Sequence, residues 1–166
     1  MKVLFISRAT LFSGNGGDTV QIKNTAAYLR QIGVEVTIEL CNNKAIDYNG
    51  YDLVHYFNII RPSDIIYHID KSKLPFVVSS IYLEYKDQVK DYQQGIKDRI
   101  LAVLDKNTQE YIKCIARAVR NGERIISYKY LWLGHKKSIR YILKKCRYLL
   151  PNSHSEYKRL KQDFPE

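Results

Sequence analysis

Cysteine is scarce in this chain of 166 residues, and its few copies are poorly placed for cross-linking. Cys41, Cys114 and Cys146 are odd in number, widely spaced and without a CxxC pair. That excludes a disulfide framework and a zinc ribbon, and reads as reduced thiols in a cytosolic protein. Long apolar runs are missing too. The opening run is only Val3 to Ile6, too short for a secretory signal core, and no later run of about 18 apolar residues would span a bilayer. There is no internal repeat and no low-complexity tract. No Ser-His-Asp set, carboxylate dyad or metal-ligand cluster stands out, and His68, His135 and His154 lack partners close in sequence. The expectation is a cytoplasmic protein, at most peripheral at the inner face of a membrane, with no metal and no resident cofactor.

Hydrophobic residues at 45% and charged residues at 27% suit one globular domain with a sizeable core. The net charge of +10 becomes informative once it is located. Residues 1–112 carry 13 Lys/Arg against 13 Asp/Glu, whereas residues 113–161 carry 14 Lys/Arg against only Glu123 and Glu156, an excess of +12. Charge so segregated repels itself in the folded state and calls for a partner.

Hydrophobic patterning alternates strand and helix. Residues 2–6 read as a buried parallel strand, followed by a polar loop ending Gly14-Asn15-Gly16-Gly17. Asp18 is a candidate N-cap for a helix to about residue 32, with Val20, Ile22, Ala26, Ala27 and Leu29 as its apolar positions and Gly33 as its C′ glycine. Strands are predicted at 34–40, 52–57, 76–82 and 147–150. Further helices are predicted at 62–73, starting at Pro62, at 108–121, at 134–146, and after the cap Ser153, with Glu156 completing a capping-box pattern. Residues 83–107 read as a long loop with some helix. On the 108–121 helix, Ile112, Ile115 and Val119 mark an apolar face. The fold class is α/β: a Rossmann-like, doubly wound parallel sheet with helices on both faces.

In such sheets ligands bind beyond the carboxyl ends of the strands, where the loops 7–17, 57–62, 81–87 and 150–153 open. Asn15, Gly16, Gly17 and Asp18 form the most suggestive of these. Glycine amides and a helix start suit a phosphate or a sugar hydroxyl; the alternative is a flexible surface loop whose glycines serve turn geometry. The spacing is no dinucleotide fingerprint, since Thr19 stands where a third glycine is needed, and Glu39 reads as an exposed strand residue. Asn58 and Arg61, past a strand end, and Tyr82 and Glu84, past the next, are candidates for contact with a sugar. Glu84 reads equally as a solvated carboxylate. His55, inside a strand, reads as a core histidine.

The order of four segments resembles the N-terminal domain of GT-B-type, group 1 (retaining, family 4-like) glycosyltransferases. They are residues 2–6 with the Gly-Gly loop and helix, Tyr51-Asp-Leu-Val-His55, Leu74-Pro-Phe-Val-Val-Ser79, and Cys146-Arg-Tyr-Leu-Leu-Pro-Asn-Ser153 with Glu156 and Leu160. The resemblance implies transfer of a sugar from a nucleotide-sugar donor to a cell-surface glycan or lipid-linked acceptor. It implies that residues 1–166 are the acceptor-side domain, with Gly16 and Gly17 approaching the donor phosphates, and that a C-terminal donor-binding domain is absent from this chain, so that alone it is inactive. Where many members carry a histidine facing the transferred sugar, this sequence has Ile81, and no catalytic residue carries over.

The basic half admits three readings. Lys113, Arg117 and Arg120 on one helix, and Lys137, Arg140 and Lys144 on the next, are either the solvated faces of core-packed helices or a surface for anionic lipid with Trp132 as interfacial anchor. A non-catalytic nucleotide- or nucleic-acid-binding module is the alternative, although the scattered tyrosines form no RNA-binding signature.

Overall fold

Short apolar runs become the strands of one parallel sheet. The structure, a computed structural model, describes residues 1–14, 16–82, 106–121 and 127–165, with the backbone alone at 106, 107 and 117–121. Its elements in chain order are β1 (Lys2–Ser7), α1 (Gly17–Gln31), β2 (Glu35–Leu40), β3 (Leu53–Phe57), α2 (Pro62–Ser72), β4 (Phe76–Ser79), α3 (Lys106–Asn121), α4 (Tyr128–Lys145), β5 (Tyr148–Leu150) and α5 (His154–Asp163). The strand order is β2-β1-β3-β4-β5 and every pairing is parallel. At the base of the sheet the Asp52 carboxylate accepts the backbone N–H of Lys2 at 2.7 Å, tying the start of β3 to that of β1.

Strand alternation divides the apolar residues between two cores. Leu4, Ile6, Val54, Tyr56, Phe76 and Val78 pack with Ile65, Ile66 and Ile69 of α2 and Ile139 and Ile142 of α4. Val3, Phe5, Val36 and Phe57 pack with Ile22 and Ala26 of α1. Each fully buried aliphatic side chain contributes on the order of 1.5–3 kcal/mol, so both faces hold their helices firmly. The chain is therefore an α/β protein with a five-stranded, all-parallel, Rossmann-like sheet flanked by helices.

The caps follow local chemistry. Gly33, at φ +82°, closes α1: its N–H donates to the Arg30 carbonyl and that of Val34 to the Leu29 carbonyl, both at 3.0 Å. Pro62 opens α2, where its missing N–H costs nothing. Ser153 Oγ accepts the Glu156 N–H at 3.2 Å and caps α5.

Five expectations are corrected. The N-cap of α1 is Gly16 rather than Asp18, which lies inside the first turn with its carboxylate bonded to Arg8. Val20 is exposed, and the neighbouring Thr19 is buried in its place because its hydroxyl is satisfied by hydrogen bonds. β4 ends at Ser79 rather than 82, because Ile81 takes a left-handed φ of +45° that turns the chain out of the sheet. On α3, Ile112 and Ile115 lie outward, while Tyr111 and Cys114 pack against the core. The helix expected from residue 134 begins at Tyr128, and Gly134 is a kink inside it at φ 71°, ψ 179°.

Candidate functional site

Because β1 pairs with β2 on one side and β3 on the other, the direction of winding reverses between β1 and β3. The connections that leave them run to helices on opposite faces, α1 and α2, and such a switch point is the usual ligand position in this strand order. Ser7 and Phe57 end the two strands, so the segments from Arg8 and from Asn58 form the rim.

Arg8 organises its side of the rim. Its guanidinium grips the Asp18 carboxylate with Nε to Oδ2 at 2.6 Å and Nη2 to Oδ1 at 3.0 Å. Nη1 also donates to the Thr10 carbonyl and hydroxyl at 2.8 and 2.7 Å, and Nη2 to the Gly14 carbonyl and to Thr19 Oγ1. One side chain thus pins both ends of the glycine loop. Burial raises the Asp18 carboxyl, but hydrogen bonding and charge from Arg8, the Thr19 N–H and the charge of Arg61 outweigh it, holding Asp18 below the usual carboxylate range.

Gly16 and Gly17 differ in what they do. A Cβ on Gly16 would lie 2.9 Å from Asp18 Oδ1, so a larger residue there would displace the clamp. A Cβ on Gly17 would meet nothing within 4 Å. Among the described residues the N–H groups of Gly17 and Asp18 meet no acceptor, as at most helix starts. Asn15 and Glu84 lie outside the described residues.

The opposite side of the rim holds Asn58, at φ +69°, and Arg61, whose Nε pairs with Asp64 Oδ2 at 3.0 Å. Asn58 Oδ1 is buried without a hydrogen-bond partner among the described residues. Each arginine is therefore paired with an aspartate, so the two pairs together carry no net charge, and all four side chains are mostly buried.

Tyr82 stands at the end of the next strand, but its polar atoms are committed to α5. Its hydroxyl donates to Asp163 at 2.6 Å, and its N–H to Glu156 Oε1 at 2.7 Å. Glu156 is almost fully buried and also accepts the Ser80 hydroxyl and, through Oε2, the Asn152 N–H at 2.9 Å. It thus fastens the end of β4 to the turn after β5, and its return bond goes to Asn152 rather than to the cap Ser153. Gln21 Nε2 donates to Asn152 Oδ1 at 2.7 Å, tying α1 to that turn.

His55 is a buried core histidine. It lies edge-on to Phe5, stacks on Phe57 and meets Ser79 Oγ at 2.9 Å through Nε2, and burial lowers its pKa to about 4. His68 donates from Nε2 to the Cys41 carbonyl and meets the Tyr48 hydroxyl through Nδ1, and burial lowers its pKa. Burial pushes the Cys41 thiol far up, so it stays protonated. Among the described residues no group of three or more His, Cys, Asp or Glu is arranged to hold a metal.

In the basic half, Lys113, Trp132, Lys137 and Lys144 are exposed. Arg140 is half-buried with Nε closed off from solvent, so it does not belong to an outer stripe. The side chains of Arg117 and Arg120 lie outside the described residues. No helix among the described residues is long and apolar enough to cross a membrane.

Patterning in sequence singled out Asp18, Asn58 and Arg61 but missed Arg8 and Asp64 and read Glu156 as a cap alone. The available signal was position: a charged residue directly after a buried strand must be neutralised where it stands. No protein-family model matches this chain, nor does any curated protein or solved structure.

Proposed function

We propose that this chain is the acceptor-side half of a glycosyltransferase that moves a sugar from a nucleotide-sugar to a glycan or lipid-linked acceptor with retention. The observation that supports this reading is that the four resembling segments are bonded to one another. His55, ending the second, bonds to Ser79, ending the third; Ser80 bonds to Glu156 of the fourth; and Asn152 of the fourth bonds to Gln21 on the helix of the first. Segments far apart in sequence are thereby held together, and the fourth is tied to the helix that Gly17 opens.

In such a transfer the bond from the anomeric carbon to the nucleoside diphosphate breaks and a new one forms to an acceptor hydroxyl, whose proton ends on the leaving diphosphate. On this reading Asn58 and Arg61 orient the acceptor, the N–H groups of Gly17 and Asp18 approach the donor diphosphate, and a second α/β domain holds the nucleotide.

The test is direct. Amide NMR signals of Gly16, Gly17, Asp18 and Asn58 should shift when the chain is titrated with UDP- or GDP-sugars or with oligosaccharides. Joined to a donor-binding domain, the protein should transfer sugar from one of these donors. No response to any sugar or nucleotide-sugar, with tight and salt-sensitive binding of RNA instead, sinks the reading in favour of a nucleic-acid module.

A further inference from the structure

We infer that the protein docks on an anionic lipid bilayer through the outer surface of α3 and the first segment of α4, with Trp132 as the inserted side chain. The inference rests on surface geometry and is independent of the sugar-transfer reading.

The first segment of α4 runs from Tyr128 to the kink at Gly134 and is two-faced. Tyr130 is fully buried in the core, while Tyr128 and Trp132, one turn apart on the opposite side, are 87% and 90% exposed. A helix fastened by a buried tyrosine and presenting two large aromatic rings to solvent is a rigid mount. α3 adjoins it, since the Tyr111 hydroxyl donates to the Leu131 carbonyl at 3.2 Å and the Tyr111 and Tyr130 rings lie 5.6 Å apart. With Tyr111 and Cys114 turned inward, Ile112 and Ile115 present aliphatic surface outward. Exposed apolar side chains thus occur on both of these adjoining segments, with exposed lysines near them in sequence.

Charge selects the occupant. Lys136 and Lys137 follow the kink and are exposed, and residues 113–161 carry an excess of +12. Among the described residues, the acidic groups beside it are already engaged, Glu110 with Lys113 and Asp70 with Lys129. A second copy would set like charge against like. A nucleic-acid backbone would take the lysines but leave Trp132, Tyr128 and the isoleucines in water. A bilayer interface with anionic headgroups takes both, the aromatic rings at headgroup depth and the lysines against phosphate.

Trp132 is the only tryptophan, so its emission reports this surface alone. On vesicles of phosphatidylglycerol and phosphatidylcholine the emission should move to the blue and resist aqueous quencher, and the protein should sediment with the vesicles. Neither should occur on pure phosphatidylcholine, and high salt should weaken both. Trp132→Ala should lower vesicle affinity roughly tenfold in sedimentation, the scale of one large side chain left unburied. Lys136→Glu with Lys137→Glu should do the same by charge. These positions are exposed, so the variants fold, which circular dichroism verifies. The proposal fails if emission is unchanged on anionic vesicles and the protein stays in the supernatant. It fails equally if the blue shift arises without lipid as protein concentration rises, which marks self-association, or if Trp132→Ala binds anionic vesicles as tightly as the parent.

Discussion

The Arg8 guanidinium and the Asp18 carboxylate meet as a two-bonded fork, 2.6 and 3.0 Å, across the glycine loop that separates them in sequence. Both side chains are mostly buried, so their contact is screened little by solvent. Arg8→Ala leaves Asp18 without its main partner and should cost about 3 kcal/mol in urea unfolding, the scale of an orphaned buried charge. Arg8→Lys keeps the charge but loses the fork, and should recover only part of that stability. The pH dependence has a definite sign. The folded pKa of Asp18 is depressed below 3.8, so its contribution is fully present above the unfolded value and is lost as pH falls through the folded one. The stability gap between the parent and Asp18→Asn should be constant near neutrality and close in acid.

The two glycines at the helix start separate folding from binding. In Gly16→Ala the new methyl meets Asp18 Oδ1 at 2.9 Å, and the clamp must shift, so stability should fall by about 1–2 kcal/mol. In Gly17→Ala the methyl enters open space at a helical residue, and stability should stay level or rise by about 0.5–1 kcal/mol. On the proposed reading, that methyl stands where a ligand would approach the N–H groups of Gly17 and Asp18, which meet no acceptor among the described residues. A Gly17→Ala protein that is fully stable but binds nucleotide-sugar more weakly would mark the helix start as a contact; unchanged affinity would remove it from the site.

Glu156 offers a test of how the rim is held. Its carboxylate accepts the Ser80 hydroxyl and the N–H groups of Tyr82 and Asn152. Glu156→Ala leaves these donors without an acceptor and should cost about 3 kcal/mol or more, while Glu156→Gln, which keeps one acceptor oxygen, should cost about half as much. Amide hydrogen exchange at Tyr82 and Asn152 should accelerate in both variants before exchange in β1 or β3 does. Uniform acceleration across the sheet would show that the contact holds the whole fold rather than the rim.

How much of this was legible in sequence follows from what patterning encodes. Strands β1 and β3 were legible because buried parallel strands are nearly continuous apolar runs, and Gly33 and Pro62 were legible because caps are local. Thr19 was not: its burial depends on hydrogen bonds to Arg8, Gly16 and Leu11 that only the folded loop supplies. The inward turn of Tyr111 and Cys114 was hidden for a related reason, since Ile112 and Ile115 satisfy helical periodicity equally well and only tertiary packing chooses between the faces. The resembling segments could be read one by one, but their meeting through His55–Ser79 and Ser80–Glu156 is a property of the sheet.

His55 gives the fold a second pH dependence, of a different origin. Its ring is buried neutral with a pKa lowered to about 4 from 6.5. Between those values the unfolded chain binds a proton that the folded chain refuses, so stability rises with pH across the window and is complete above it. The full effect is about 3 kcal/mol. Burial lowers the pKa of His68 too, and it acts in the same direction. His55→Leu should flatten the fall in stability between pH 6.5 and 4; an unaltered slope would assign that fall to other groups.

Gly134 tests whether α4 is one helix or two. At φ 71° and ψ 179° it occupies a region that only glycine enters without strain, and a Cβ there would meet nothing within 4 Å. Any cost of Gly134→Ala therefore comes from the backbone and not from crowding. On helix propensity alone alanine would gain about 1 kcal/mol at this position. The kink predicts the reverse, a loss of about 1–3 kcal/mol in urea unfolding. A D-alanine introduced by semisynthesis adopts positive φ readily and should leave the protein as stable as the parent. The same substitutions bear on how the exposed aromatics are carried, because straightening residues 128–145 into one rod would draw Tyr130 out of the core and turn Trp132 away from its present direction. Loss of stability with L-alanine and retention with D-alanine establishes the kink as the hinge that sets that surface, whereas a stabilising L-alanine would mean that the helix runs straight through.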